Sequence, residues 1–243
     1  MPEDTHFSLR GLCLGVILSM IIGLIAPYGI VFNYYWIGFN PSSPAAIFFF
    51  FILTFVVNVL LSILHRQFEL SRADLVLIYC MLLMAVTVPT WGLMFFLIGT
   101  LVYPFYYATP ENNYAELFFD VIPTWMVPQD EEAIKYYYEG LPEGSNIPWE
   151  AWVEPMTWWL SFILALSLML ICMSSILHRQ WSVHERLAYP MVQLPQNMIE
   201  KDSDSLIAPF FRSGIMWLGF FVPLTFLSFN ALNHYWPAFP QYS

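Results

Sequence analysis

Residues 156–177 read MTWWLSFILALSLMLICMSSIL, with no charged side chain among them. A helix needs about 20 mostly apolar residues to cross the hydrocarbon of a bilayer. It also keeps its backbone polar groups paired where no water can reach them. Read as such a helix, this run decides the fold, because the residues on either side of it repeat the pattern. Its last letters open the hexapeptide SILHRQ at 175–180, and the same six letters stand at 62–67, where another apolar run ends. Working outward gives five spans: about Gly11 to Phe32, Ala45 to Leu64, Leu75 to Val102, Met156 to Leu177 and Gly214 to Tyr235.

Composition supports a chain that faces lipid or other protein. It is 58% hydrophobic and only 11% charged, with a mean hydropathy of +0.60. A soluble domain carries roughly 25% charged residues. The formal charge is −10 with 8 Lys and Arg, which excludes a phosphate-reading nucleic-acid surface. Cys13, Cys80 and Cys172 all lie in apolar runs, so they suggest packing rather than disulfides or metal. The acidic N-terminus, with one Arg and no small-residue cleavage site after the first run, reads as an uncleaved first span.

The basic residues orient the spans. Arg10, Arg66, Arg72, Arg179, Arg186, Lys201 and Arg212 fall in the N-terminus, the second loop and the fourth loop. The opposite side has only Lys135, among ten carboxylates from Glu111 to Glu154. Positive charge stays inside. The N-terminus is therefore expected in the cytoplasm and the C-terminus outside, in a multi-pass inner-membrane protein.

The outer segment, residues 105–155, reads as an acidic helical cap between two membrane parts, 1–104 and 156–243. Thr109-Pro110-Glu111 suggests a capped helix running through Glu116 and Phe118. Asp130-Glu131-Glu132 opens a second helix that should stop near Gly140. Trp149, Trp152, Trp158 and Trp159 fit an interfacial aromatic belt.

Within the spans, Gly11, Gly15, Ser19 and Gly23 form a small-residue face for close helix packing. Asn58 lies deep in the second span, where an interhelical hydrogen bond and contact with a solute path are the two readings. Pro89-Thr90-Trp91-Gly92 interrupts the third span, about 28 residues or roughly 42 Å long. A kink there absorbs the excess length, and a break would open a transporter-like midplane site. No Asp, Glu, Lys or Arg is central in a span, so no fixed-charge ion path is visible. His6, His65, His178, His184 and His234 all avoid span centres, so neither haem nor any other cofactor or metal is expected. No phosphate loop, nucleophile elbow, HExxH or CxxC occurs, and enzymatic activity has no support.

Both SILHRQ copies end outward-to-inward spans with His65-Arg66 and His178-Arg179. An aromatic and an S-x-x-D/E capping box follow each: Ser71 to Asp74, and Ser182 to Glu185. The copies read as a duplicated helix exit, with the two histidines expected at similar depth on one side. Glu185-Arg186 then leads to Pro190 and Pro195, whose spacing argues against a long regular helix in this cytoplasmic loop.

FYYATPENNYAELF (105–118), IPTWMVPQDEEA (122–133), YYYEGLPEG (136–144), IPWEAW (147–152), LSRADLVLIY (70–79) and HERLAYPMVQLP (184–195) resemble a family of uncharacterised bacterial polytopic membrane proteins, a domain of unknown function. The likeness covers nearly the whole chain. It implies a longer protein with further spans, of which these residues match the N-terminal part. ERLAYP with its second Pro, and ELSRADL, are also similar to oligopeptide-transporter-like proteins.

The expectation is thus an all-α integral membrane bundle of about five transmembrane helices with an acidic extracytoplasmic cap. It is transporter-like or part of a transporter for a small solute. The alternative is a non-catalytic subunit of a larger respiratory or photosynthetic membrane complex. Lipid and other membrane subunits are the expected partners.

Overall fold

The computed structural model describes residues 8–33, 44–87, 94–202 and 205–236; for 26–33, 94–95, 227, 230–231 and 234–235 it describes the backbone alone. The described residues are helical and turn structure with no strand. The helices are α1 (Leu9–Asn33), α2 (Pro44–Leu64), α3 (Arg72–Thr87), α4 (Met94–Tyr106), α5 (Glu131–Glu139), α6 (Trp149–Arg179), α7 (Pro190–Ile199) and α8 (Gly214–Tyr235). Two of these are long and apolar enough to cross a membrane: Pro44–Leu64, and Trp149–His184, which is α6 with its terminal π turn. Within α1, α4 and α8, the stretches Leu9–Ile25, Phe96–Tyr106 and Gly214–Phe226 are apolar as far as their side chains are described. Among the described residues two helices meet that test of length and apolarity, and the expected bundle of five spans goes beyond them. Of the third expected span, Arg72–Thr87 (α3) and Met94–Tyr106 (α4) are described as helix, and residues 88–93 lie outside the described residues.

The chain divides into two compact units, residues 1–87 with 189–243, and residues 88–188. In the first unit α3 is amphipathic in the packing sense. Leu75, Ile78, Leu82 and Val86 form one buried stripe at helical spacing. Against it pack Ile22 of α1, Ala46 and Phe50 of α2, and Met198 of α7. Phe51 stacks on Phe220 at 5.1 Å, and Phe55 meets Phe211 at 4.9 Å. Those rings carry α8 onto α2, and the Trp217 indole donates to the Phe211 carbonyl at 2.8 Å.

The second unit is built on Val102, Val127 and Ile134. Tyr106 stacks on Tyr138 at 4.4 Å, Tyr138 donates its hydroxyl to the Gly99 carbonyl at 2.9 Å, and the Trp159 indole donates to the Met126 carbonyl at 3.0 Å. α5 starts where Asp130 accepts the Ala133 amide at 2.8 Å, and it stops at Gly140, whose φ of 87° suits a residue without a Cβ. The expected helix from Thr109 does not form. Asn112 takes the Thr109 amide instead, and only a π turn, Ala115–Phe119, follows. α7 is a short helix of 10 residues, with Pro190 in its first turn and Pro195 inside it. A proline at the first turn costs no hydrogen bond.

Candidate functional site

In the first unit, the start of α1, the end of α2, the start of α3 and the residues after α7 share one polar node. Its centre is Asp74, 3% exposed. The Ser8 amide donates to Asp74 Oδ1 at 2.6 Å and the Ser8 hydroxyl to Oδ2 at 3.1 Å. Ser8 in turn accepts the Gly11 amide, capping α1. On its own helix, Asp74 accepts the Ser71 amide at 3.2 Å and donates its amide to the Ser71 hydroxyl at 3.1 Å. That is the expected capping box, with a second helix start attached. Burial of Asp74 favours the neutral acid, but donors from Ser8 and Ser71 together outweigh it and hold the carboxyl below its ordinary range.

Asn58 is 1% exposed, and its carbonyl oxygen accepts the Leu70 amide at 2.8 Å. Its polar group therefore anchors the turn between α2 and α3. Glu69 accepts from the Ser62 hydroxyl at 3.1 Å and pairs with Lys201 at 2.7 Å. Arg10 donates to the Gln67 carbonyl at 3.2 Å and lies 5.7 Å from the Phe68 ring centre.

Of the small-residue face, Gly11 and Gly15 meet α3. A Cβ on Gly11 would overlap the Asp74 carboxylate, and one on Gly15 would come within 2.6 Å of the Met81 sulfur. Among the described residues, Ser19 Oγ is buried with no hydrogen-bond partner and Gly23 has no neighbour within 4 Å of a Cβ. Pro89, Thr90, Trp91 and Gly92 lie outside the described residues.

The two hexapeptides differ in structure. In the first, the helix ends at Leu64, His65 is extended, its Nδ1 accepts the Gln67 amide at 3.4 Å, and Arg66 opens a 3₁₀ turn. In the second, α6 runs through His178 and Arg179 into a π turn, Gln180–His184. The expected Ser182–Glu185 capping box is not made, because Ser182 donates to its own helix at the His178 carbonyl (2.7 Å) and Glu185 receives the Gln180 amide group at 3.3 Å. Arg186 then takes a left-handed φ of 49°, and the Leu187 amide closes on the Trp181 carbonyl at 3.0 Å.

The second unit holds a cleft of about 280 Å³ between α4, α5 and the start of α6. Ile98, Tyr136, Tyr137, Trp149, Trp152 and Met156 are among its walls. Tyr137 and Trp152 face one another with ring centres 6.0 Å apart. Burial pushes the Tyr137 phenol up, so it stays protonated and neutral near pH 7. Sequence reasoning assigned Trp149 and Trp152 to an interfacial belt, and the belt and the cleft draw on the same residue types.

A family model described as a family of unknown function, DUF6785, matches residues 1–243. The chain belongs to the DUF6785 family. No curated protein and no solved structure matches it. In this DUF6785 chain no group of three or more His, Cys, Asp or Glu able to hold a metal occurs among the described residues. The chemistry on view is of two kinds: a polar node whose groups are bonded to one another, and an apolar aromatic cleft with room for a small molecule.

Proposed function

We propose that this DUF6785 chain is a helical component of a bacterial cytoplasmic membrane, working within a larger membrane assembly. The observation that carries the reading is α6. It is 31 residues long, and no residue from 160 to 180 is buried. A helix apolar on all sides suits lipid and neighbouring membrane helices. In this reading the chain crosses five times, by α1, α2, α3 with α4, α6 and α8, with the N-terminus in the cytoplasm. Support comes from the polar node, which gathers the starts of α1 and α3 with the end of α2, as alternating crossings require, and which holds Arg10 and Lys201. The buried polar side chains Asn58, Ser62 and Asp74 bond within the protein, which suits a packing role.

Transport of a small solute is the second reading, and the aromatic cleft favours it. Purification from native membranes, with mass spectrometry of the bound proteins, tests the first. A stoichiometric partner set supports it, and a chain that purifies alone and moves a solute in proteoliposomes replaces it with the second. Topology reporters fused after residues 66, 125 and 186 test the orientation, with the first and third expected in the cytoplasm and the second outside.

A further inference from the structure

The cleft of the second unit has three properties together. Its walls are nearly all apolar, with four aromatic side chains, Tyr136, Tyr137, Trp149 and Trp152. Its surroundings are acidic: ten carboxylates and one Lys lie between residues 105 and 155. The Lys, Lys135, is 3.8 Å from Glu139. Exposed Glu132 and Glu150 directly adjoin the wall residues Ala133 and Trp149 in sequence, and exposed Glu139 follows two residues after Tyr137. The cleft is also small, at the low end of ligand sites, which run to about 300–1,000 Å³.

Apolar walls bind an apolar body. Aromatic faces carry negative quadrupole potential and attract a cation laid over them, most of all one that is poorly hydrated. Ten exposed carboxylates in the same segment raise the local concentration of cations and repel anions. No carboxylate lines the walls themselves, so a compact, strongly hydrated ion would lose its water without a direct replacement. A cation whose charge is spread over methyl groups loses much less.

We propose that this cleft binds a small organic cation, a quaternary or tertiary ammonium carried on one aromatic ring or short alkyl body. The ammonium lies against the Tyr137, Trp149 and Trp152 rings, and the apolar body fills the space toward Ile98 and Met156. The assignment concerns binding and stands whether or not the solute is moved, so it does not depend on the transporter reading. The same ammonium chemistry is offered by a free solute and by a choline lipid headgroup.

The test is a titration of the full chain in maltoside micelles, followed by tryptophan fluorescence and calorimetry. Benzyltrimethylammonium is the probe, its carbon isostere neopentylbenzene is the neutral control, and benzylsulfonate is the anionic one. Saturable binding of the cation is expected, about tenfold or more tighter than either control. Raising the salt to about 0.5 M should weaken it, since the carboxylates of this segment are exposed. Trp149 is 66% exposed, so Trp149→Leu removes a ring with little risk to the fold. That variant and Tyr137→Leu are each expected to lose about five- to tenfold in affinity, while Trp149→Phe and the remote Trp158→Leu stay within about threefold. Adding phosphatidylcholine separates the two sources. Competition with the probe marks the lipid headgroup as an occupant, and no competition marks a free solute; both uphold the ammonium site. Equal binding of neopentylbenzene, no saturable binding, or full affinity in Trp149→Leu would overturn the assignment.

Discussion

Gly11 has no side chain, and the Asp74 carboxylate fills the space that one would take. This one juxtaposition explains why a small residue opens the α1 face, whereas Gly23 has nothing within 4 Å among the described residues. Gly11→Ala should therefore cost about 1–3 kcal/mol, as overpacking does, and Gly23→Ala should raise stability slightly through better helix propensity. Chemical denaturation in mixed micelles measures both. Asp74 also makes stability depend on acid. Its carboxyl is held below the ordinary 3.8, so the folded state binds fewer protons than the unfolded one. The stabilisation is fully present above that value and drains away as pH falls below it through the folded value. A denaturation series from pH 6 to pH 3 should show the loss in the wild type and a flatter profile in Asp74→Asn.

SILHRQ occurs twice, yet six identical letters build two different helix ends. The neighbours decide. After the first copy, Glu69 reaches back to Ser62 and Asn58 catches the Leu70 amide, so the chain turns. After the second, Ser175 and Ser182 donate to the carbonyls of Ile171 and His178, and the helix persists into a π turn. The capping boxes should respond accordingly: Ser71→Ala is expected to lose about 1 kcal/mol and Ser182→Ala almost nothing, by thermal unfolding. Arg186 holds a left-handed backbone that glycine adopts without strain. Arg186→Gly should thus be neutral or stabilise by about 1 kcal/mol. Elements set by local rules were legible in the sequence, such as the Asp130 cap and Gly140 stop of α5. Elements set by distant partners were not. Nothing near Ser8 announces Asp74, and the hexapeptide gives no sign of which neighbour will claim its serine. Tyr137, Trp149 and Trp152 were visible only as aromatics, because a membrane belt and a ligand cleft use the same letters.

At the scale of the molecule, hydropathy located the apolar segments and the balance of charge divided them into loops of opposite sign. It did not reveal that α3 and α4 serve different compact units. If α6 crosses the bilayer, an arginine at its centre costs about 2.5–3.5 kcal/mol of insertion free energy. Leu166→Arg should therefore reduce the inserted fraction in a glycosylation-based insertion assay, while Glu154→Arg, outside the apolar run, leaves it unchanged. Insertion of both variants to the same extent would count against a spanning α6. The tie between Ser8 and Asp74 also has a bearing on biosynthesis. The two residues are 66 apart, so a ribosome must add that many residues beyond Ser8 before the partner of its amide exists. Until then the first helix has a provisional, hydrated end, and its final seat is assigned only when the start of α3 has been made. Translation slowed between the two residues would prolong that interval, in which chaperones and quality-control proteases meet α1 without its lock.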